Sequence, residues 1–236
     1  MIGFGYDPDI LTRFPRVCGG VLLALEVHNA PTPPDLQEAY LWEQHAVQDR
    51  IGDTPLSEVE TLSAWRGAFR AFGVDPTKYR SAAEALLRRL TKKGDIPCIN
   101  MIVDICNLVS IRYALPVAAF DTRLLRGVVR VRFAGGSEWF LPHDKEVAEH
   151  PDPGEVIFHD EAGLVVARRW CWKQSHESVV MEGTRRAIVT VEAQHPGAQG
   201  LIEGALHDLE DLFGRYLNCT CQHGVLGVGH PEIRSE

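Results

Sequence analysis

The period of the hydrophobic pattern changes from mainly helical to mainly alternating close to Pro116. Before it, apolar side chains recur three and four residues apart, most clearly in residues 81–93, as in an amphipathic helix. After it, apolar and polar side chains alternate, most clearly in residues 127–134, as in a half-buried strand. This order predicts an α+β fold with a helix-rich first half and a mostly antiparallel, strand-rich second half. Because no repeat or low-complexity linker interrupts the pattern, we expect residues 1–236 to form a single compact domain.

Local start and stop signals divide each half into elements. Helices are predicted over residues 35–49, 57–72, 81–93, 100–110 and 200–217. Strands are predicted over residues 17–27, 127–134, 138–141, 155–159, 163–172, 178–181 and 187–193. Ser57 and Glu60 have the spacing of a capping box, and Gly94 is a typical residue to end a helix.

Charge and hydropathy exclude several classes of protein. The chain has 32 Asp and Glu against 24 Lys and Arg, and a net charge of −8 excludes a nonspecific coat on nucleic acid, so no DNA partner is expected. The longest apolar run, residues 21–27, is broken by Glu26 and is far shorter than the ~20 residues of a membrane span, so no membrane partner is expected. Six cysteines without a regular disulfide framework, and a start without a cationic and apolar leader, predict a cytoplasmic protein.

Familiar catalytic motifs are absent from the sequence. It contains neither Gly-x-x-x-x-Gly-Lys-Ser/Thr nor Gly-x-Gly-x-x-Gly at a strand-to-helix turn, which disfavours phosphate-loop chemistry, and it contains no Gly-x-Ser-x-Gly elbow. Cys219, Cys221 and His223 could bind a metal, but the second ligand pair of a zinc site is missing. We therefore expect no metal and no cofactor, and the catalytic residues stay unassigned.

Residues 167–174, ARRWCWKQ, are the most informative short segment. In an extended strand, one face of this segment would carry Arg168, Trp170, Trp172 and Gln174. Aromatic faces bind planar groups and cations, and arginine binds phosphate or carboxylate, so this face has the composition of a recognition surface. The alternative, a sheet core with tryptophan packed inward and arginine at its edge, explains the pattern equally well.

Residues 94–121, GDIPCINMIVDICNLVSIRYALPVAAFD, resemble a segment of the bacterial phenylalanyl-tRNA synthetase beta subunit. That segment contains Asn, two residues, Val-Asp-x-Thr-Asn-Tyr-Val and then Pro-x-His-Ala-Phe-Asp. The resemblance continues in the same order through the strands of residues 127–138, 155–167 and 184–193. Residues 79–193 as a whole resemble the B-three/B-four tRNA-editing domain, here without a synthetase catalytic domain. The resemblance implies hydrolysis of a wrong aminoacyl ester at the tRNA terminus.

Carried over residue by residue, the resemblance predicts a pocket and several departures from the family pattern. Asn107 matches the pocket asparagine, Cys106 replaces the neighbouring threonine, and Ala118 replaces the histidine. Thr190 falls where the family has the glutamate that binds the tyrosine hydroxyl. Arg168, Arg169 and Trp170 replace a Gly-rich loop. Without that histidine and glutamate, tyrosine editing is not expected.

The resemblance implies a freestanding aminoacyl-tRNA deacylase that binds the 3′ end of its substrate. The alternative is a non-catalytic module that binds an amino acid, a small metabolite or a tRNA end. We predict one cavity lined by these residues: Cys106, Asn107, Ala118, Arg168, Trp170, Trp172, Gln174 and Thr190. Strand alternation directs Arg168 toward this cavity, where it would contact the phosphates of the tRNA terminus. It leaves Arg169 to an ion pair or a backbone contact. Arg168→Ala would then weaken the tRNA-linked activity, and Arg169→Ala the fold.

Overall fold

Two β-sheets lie against each other, and helices cover the outer face of one of them. The computed structural model describes residues 2–143, 145 and 147–235, and within them the chain forms ten strands and six α-helices. The first sheet has the order β10-β1-β4-β5-β6-β7, and the second has the order β3-β8-β2-β9. Only β1 and β4 pair in parallel among these described strands, and every other pair is antiparallel.

The ten strands of the described chain divide between a six-stranded and a four-stranded sheet. The first sheet consists of β1 (Gly3–Tyr6), β4 (Val128–Phe133), β5 (Val156–His159), β6 (Val165–Arg168), β7 (Lys173–Gln174) and β10 (Glu232–Arg234). The second sheet consists of β2 (Cys18–Leu25), β3 (Val117–Asp121), β8 (Arg186–Ala193) and β9 (Thr220–Leu226). An aromatic and aliphatic core that includes Phe4, Phe158 and Ile188 fills the space between the two sheets.

The helices separate into two groups by the core they join. They are α1 (Pro8–Arg13), α2 (Pro34–Ile51), α3 (Glu60–Ala71), α4 (Ala82–Lys93), α5 (Met101–Tyr113) and α6 (Gln199–Leu217). α2, α4, α5 and α6 bury their apolar faces against the outer side of the second sheet. α3 instead adds Trp65 and Phe69 to the core between the sheets. No helix in the described part of the chain is both long and apolar enough to cross a bilayer.

The α+β class predicted from the sequence is confirmed, and the two halves mix more than expected. The first half supplies β1 and β2, and the second half supplies the long helix α6. Helices with strong local start and stop signals were predicted correctly. In α4, the Ser81 hydroxyl accepts a hydrogen bond from the Glu84 N–H at 3.3 Å, and Gly94 ends the helix with φ of 87°. Asn100 caps α5 in the same way through the Val103 N–H.

Three local predictions were wrong. Val59 is the N-cap of α3, and Ser57 lies in a separate 3-10 turn, Leu56–Glu58, so the predicted capping box does not form. Residues 138–141 make only isolated bridges through Trp139 and Phe140. Residues 178–181 form no strand. The short strands β1 and β10 and the terminal strand β9 were missed.

Candidate functional site

A cavity of about 350 Å3 opens where α5, β3 and β8 meet residues 167–174. Its walls are mainly apolar and include Val103, Phe120, Phe158 and Val180. A volume of this size suits a small organic group, and ligand sites commonly combine apolar walls with a few polar groups. The polar groups therefore determine what this cavity can do.

The structure brings seven of the eight predicted site residues, all within the described chain, to this cavity. They are Cys106 and Asn107 on α5, Ala118 on β3, Thr190 on β8, and Trp170, Trp172 and Gln174 from residues 167–174. Arg168 does not line it. What these residues bind stays a prediction.

The local sequence explains how α5 and β3 come to line one wall. α5 ends at Tyr113, its C-cap residue Ala114 has φ of 51°, and Pro116 directs the chain into β3. Ala118 then pairs directly with Thr190 across the β3–β8 ladder. Because an alanine faces the cavity here, room remains in front of the Thr190 hydroxyl, which has no hydrogen-bond partner among the described residues.

Gln174 lines the cavity while holding two segments together. Its Nε2 donates to the Ala119 carbonyl at 3.0 Å and to the Ser178 carbonyl at 2.8 Å. This amide joins β7 to β3, although the two strands belong to different sheets. Gln174 therefore acts on the cavity at least as a positioning residue.

Arg168 departs from the prediction because the strand ends there. Arg169 and Trp170 have φ of 46° and 61°, two consecutive left-handed residues, so alternation cannot extend from Arg168 to Trp170. The predicted strand of residues 163–172 is thus too long, and its one recognition face does not exist. Left-handed backbone costs roughly 1–3 kcal/mol per non-glycine residue and persists only where surrounding contacts enforce it.

The Arg168 side chain is buried in an ion pair instead of facing the cavity. Its Nε and Nη2 donate to the two Glu155 carboxylate oxygens at 2.9 and 2.7 Å, and Nη1 reaches Glu149 at 3.1 Å. The two partners Arg168 and Glu155 expose only 6% and 3% of their side chains. The expectation that Arg168 binds tRNA phosphate is therefore wrong.

Arg169 sits between two aromatic rings. Its guanidinium lies 4.0 Å from the Tyr79 ring centroid and 4.6 Å from that of Trp172. Its Nη2 is 3.7 Å from both Asp152 and Glu155, so the predicted ion pair is present. The backbone N–H of Arg169 also donates to Glu155 at 3.0 Å, which helps to fix the left-handed turn.

Glu192 is the site residue that the sequence analysis missed. It lines the cavity from β8, two residues after Thr190, and it is 2% exposed. The Tyr6 hydroxyl and Trp170 Nε1 donate to the same oxygen, Oε1, at 2.6 and 3.0 Å. Oε2 receives no hydrogen bond from the described residues. Alternation along β8 could have found Glu192, because residues two apart share a face.

The electrostatics of Glu192 reflect its burial. Loss of hydration raises the pKa of this carboxyl from 4.5 to about 7, although the bonds from Trp170 and Tyr6 act in the opposite direction. Near neutral pH the group is present in both protonation states. A carboxyl with this pKa can accept or donate a proton at neutral pH.

A glycine on β2 makes the Tyr6–Glu192 contact sterically feasible. Gly19 pairs with Glu192 in the β2–β8 ladder, and a Cβ at this position would lie 2.1 Å from the Tyr6 Oη. No other residue type leaves space for the hydroxyl.

We expect Gly19→Ala to lower the free energy of unfolding by about 1–3 kcal/mol, because the added methyl group overpacks a buried contact. Urea denaturation measures this change. Gly214→Ala, in α6 with nothing within 4 Å of the added Cβ, is the control and should gain up to about 1 kcal/mol. Combining Gly19→Ala with Tyr6→Phe should recover part of the loss, and equal stability of Gly19→Ala and the unmodified protein would contradict this account.

The cavity holds no activated thiol. Burial is the main cause that raises the pKa values of Cys106 and Cys171 above that of a free thiol. Both therefore stay protonated near neutral pH and are poor nucleophiles. Within the described ranges, no group of three or more His, Cys, Asp and Glu side chains is placed to hold a metal.

Two histidines that are far apart in sequence meet beside the cavity. His143 lines it, and its ring centroid is 5.4 Å from that of His176. No sequence signal links the two residues, because both lie outside the α-helices and strands.

Comparison with known proteins gives a family match and several similar solved structures. Residues 64–200 match the family model of the B3/4 domain. The solved structures that match include an N-terminal fragment of the phenylalanyl-tRNA synthetase beta-subunit from Pyrococcus horikoshii, with a TM-score of 0.47 and 9% identity. That alignment covers 93% of this chain and 50% of the fragment, so this chain spans about half its length. No curated protein sequence matches.

Proposed function

This chain belongs to the B3/4 domain family, and on that premise we propose that it binds the aminoacylated 3′ end of a tRNA and hydrolyses the ester. The proposal joins two observations. Residues 79–193 resemble a tRNA-editing domain, and seven of the eight residues predicted for its pocket line one cavity. Charged tRNA is a cytoplasmic substrate, so that compartment is part of the proposal.

The observation that carries the catalytic part is the Glu192 carboxyl. It faces an apolar cavity with one oxygen held by Tyr6 and Trp170 and the other without a partner among described residues. The pKa of about 7 gives a base whose strength suits proton transfer at neutral pH.

The proposed reaction is a direct attack by water. Glu192 takes a proton from the water, and the water oxygen bonds to the carbonyl carbon of the aminoacyl ester. The bond from that carbon to the ribose oxygen then breaks, and the ribose oxygen receives the proton that Glu192 took up, which returns Glu192 to its carboxylate form. The products are the free amino acid and a tRNA with an intact terminal ribose. Because an ester has a good leaving group, orientation of the water contributes much of the required acceleration.

The cavity also limits the proposed substrate. Its walls favour an apolar side chain, while Thr190 and Asn107 offer polar contacts. Thr190 stands where the resembled family has a glutamate, and Glu192, on the same face of β8, supplies a carboxyl two residues further along. The Thr190 hydroxyl can bind a side-chain hydroxyl, and we extend the candidate substrates to hydroxylated amino acids.

Deacylation of a panel of charged tRNAs tests the proposal. The panel should contain cognate, mischarged, D-amino-acid and nonprotein aminoacyl esters, each compared with its spontaneous hydrolysis. We expect acceleration for a subset with apolar or hydroxylated side chains. Absence of acceleration for every ester would overturn the catalytic proposal.

A binding module without chemistry is the second candidate, and the mainly apolar walls of a cavity sized for a small organic group favour it. Calorimetry with free amino acids and with nonhydrolysable aminoacyl-adenosine analogues separates the two ligand classes. Binding that requires the adenosine supports a tRNA end as ligand. Binding of free amino acids alone, without ester hydrolysis, supports the module.

A further inference from the structure

A basic groove runs beside α4, next to the cavity. In the described part of the chain, six cationic side chains line it together with Ala85 and Trp172, and its volume is about 450 Å3. The cations are Lys78, Arg80, Arg88, Arg89, Lys92 and Lys93. We call this surface the α4 groove.

Helical spacing produces the cationic stripe. Ala85, Arg88, Arg89 and Lys92 follow one another at intervals of three, one and three residues, which places them on one face of α4. The opposite face buries Leu87 and Leu90 in the core that the helices share with the second sheet. The stripe is therefore held on a fixed support and faces outward.

The charge of the groove contrasts with that of the whole chain. It gathers 6 of the 24 lysines and arginines of a protein with net charge −8. No carboxylate lines it in the described structure, and Arg88, Lys92 and Lys93 form no ion pair with a described residue.

The like charges have a cost that an anionic ligand would remove. Arg88 and Lys92 are four residues apart, as are Arg89 and Lys93, and such same-sign pairs destabilise a helix. Two ion pairs offset part of the charge, between Asp95 and Arg89 at 3.6 Å and between Glu84 and Arg80 at 3.7 Å.

Trp172 connects the groove to the cavity. It lines both, and it is half-buried between them. The first residue of α4 is fixed to the cavity wall, because the Ala82 N–H donates to the Cys171 carbonyl at 2.8 Å. A strand that lies along α4 can therefore deliver its end past Trp172 into the cavity.

We infer that the α4 groove binds the phosphate backbone of the single-stranded RNA whose aminoacylated end enters the cavity. The inference rests on the proposed function for the choice of RNA, and it adds where that RNA lies. Cations that follow a backbone, with an aromatic ring on which a base can stack, are the usual components of single-strand binding. The α4 groove thus takes the place of Arg168 as the expected contact with RNA phosphate.

Binding of RNA to the full chain at several salt concentrations tests the inference. The probe is a fluorescein-labelled single-stranded RNA of about 12 nucleotides, and deacylated bulk tRNA is the competitor. For the variant with Arg88→Ala and Lys92→Ala together, we expect about tenfold weaker binding at low salt. The slope of log affinity against log salt should fall by about 1.4, since each single-strand phosphate contact contributes about 0.7.

The matched control removes two exposed arginines outside the groove, with Arg16→Ala and Arg70→Ala together, and should leave affinity and slope unchanged. Glu192→Gln should also bind RNA with an unchanged slope, so loss of hydrolysis and loss of binding are distinguishable. Equal slopes for the groove variant and the control would overturn the inference. Failure of the unmodified protein to bind RNA, or equally tight binding of a poly-glutamate peptide, would also overturn it.

Discussion

Arg168→Ala is expected to lower the free energy of unfolding by about 3–5 kcal/mol, the usual cost of removing one partner of a buried ion pair. Glu155 would keep a charge that is buried and has lost both of its close guanidinium contacts. Only the Arg169 N–H and its guanidinium at 3.7 Å would remain close to the carboxylate. Urea denaturation followed by circular dichroism measures the change.

Two controls separate burial from charge for this prediction. Arg215→Ala removes an exposed partner of Asp35, at 3.7 Å, and should cost at most about 1 kcal/mol. Combining Arg168→Met with Glu155→Leu should recover much of the loss, because no unpaired charge is left. If Arg168→Ala costs no more than Arg215→Ala but weakens RNA binding, Arg168 contacts phosphate as strand alternation predicted.

Helix signals were the easiest part of the fold to obtain from the sequence, because they act over a few residues. The Ser81 cap, the Gly94 stop and the spacing within α4 all lie within one element. β1 and β10 lack such signals. They are three or four residues long, and Gly3 pairs with Arg234, so their register depends on contacts across nearly the whole chain.

The family resemblance correctly predicted which residues lie together at one cavity in the α5–β3 part of the fold. The α5–β3 segment keeps its order, and Cys106, Asn107 and Ala118 line the cavity as expected. The prediction failed where strand alternation was extended through Arg169 and Trp170. The Gly-rich loop at this place in the resembled domain was the available signal, since glycine readily adopts the positive φ that these residues have.

The basic character of α4 was visible in the sequence but not its meaning. Arg88, Arg89, Lys92 and Lys93 look like the solvated face of any amphipathic helix. Only the fold places this face beside Trp172 and the cavity. A cluster of cationic side chains thus indicates a binding role only when the fold shows that it lies next to a candidate site.

Glu192→Gln is expected to reduce ester hydrolysis by about 10²–10⁴-fold, the usual contribution of a general base. Glutamine keeps an oxygen that can accept from Tyr6 and Trp170, so the cavity should retain its shape. The native rate should rise with pH up to about 7, as the carboxylate forms, and the residual rate of the variant should lack this rise. Single-turnover deacylation over a range of pH measures both.

Relative to the native protein, the Glu192→Gln variant should be more stable in alkaline than in acidic solution. The unfolded state loses the Glu192 proton near pH 4.5 and the folded state near pH 7, so native stability falls between these values and is then constant. The difference corresponds to about 3 kcal/mol. The stability of Glu192→Gln relative to the native protein should therefore rise by about this amount from below pH 4.5 to pH 8.

Opposite changes in activity and in stability would identify Glu192 as a group kept for function at the expense of the fold. A buried carboxylate that only held Tyr6 and Trp170 in place would be replaced by glutamine with little loss of rate. Glu38→Gln on the exposed face of α2 is the matched control and should alter neither the rate nor its pH dependence. If Glu192→Gln hydrolyses the same esters at the native rate, the water is activated by another group, and the exposed His143 beside the cavity is the next to replace.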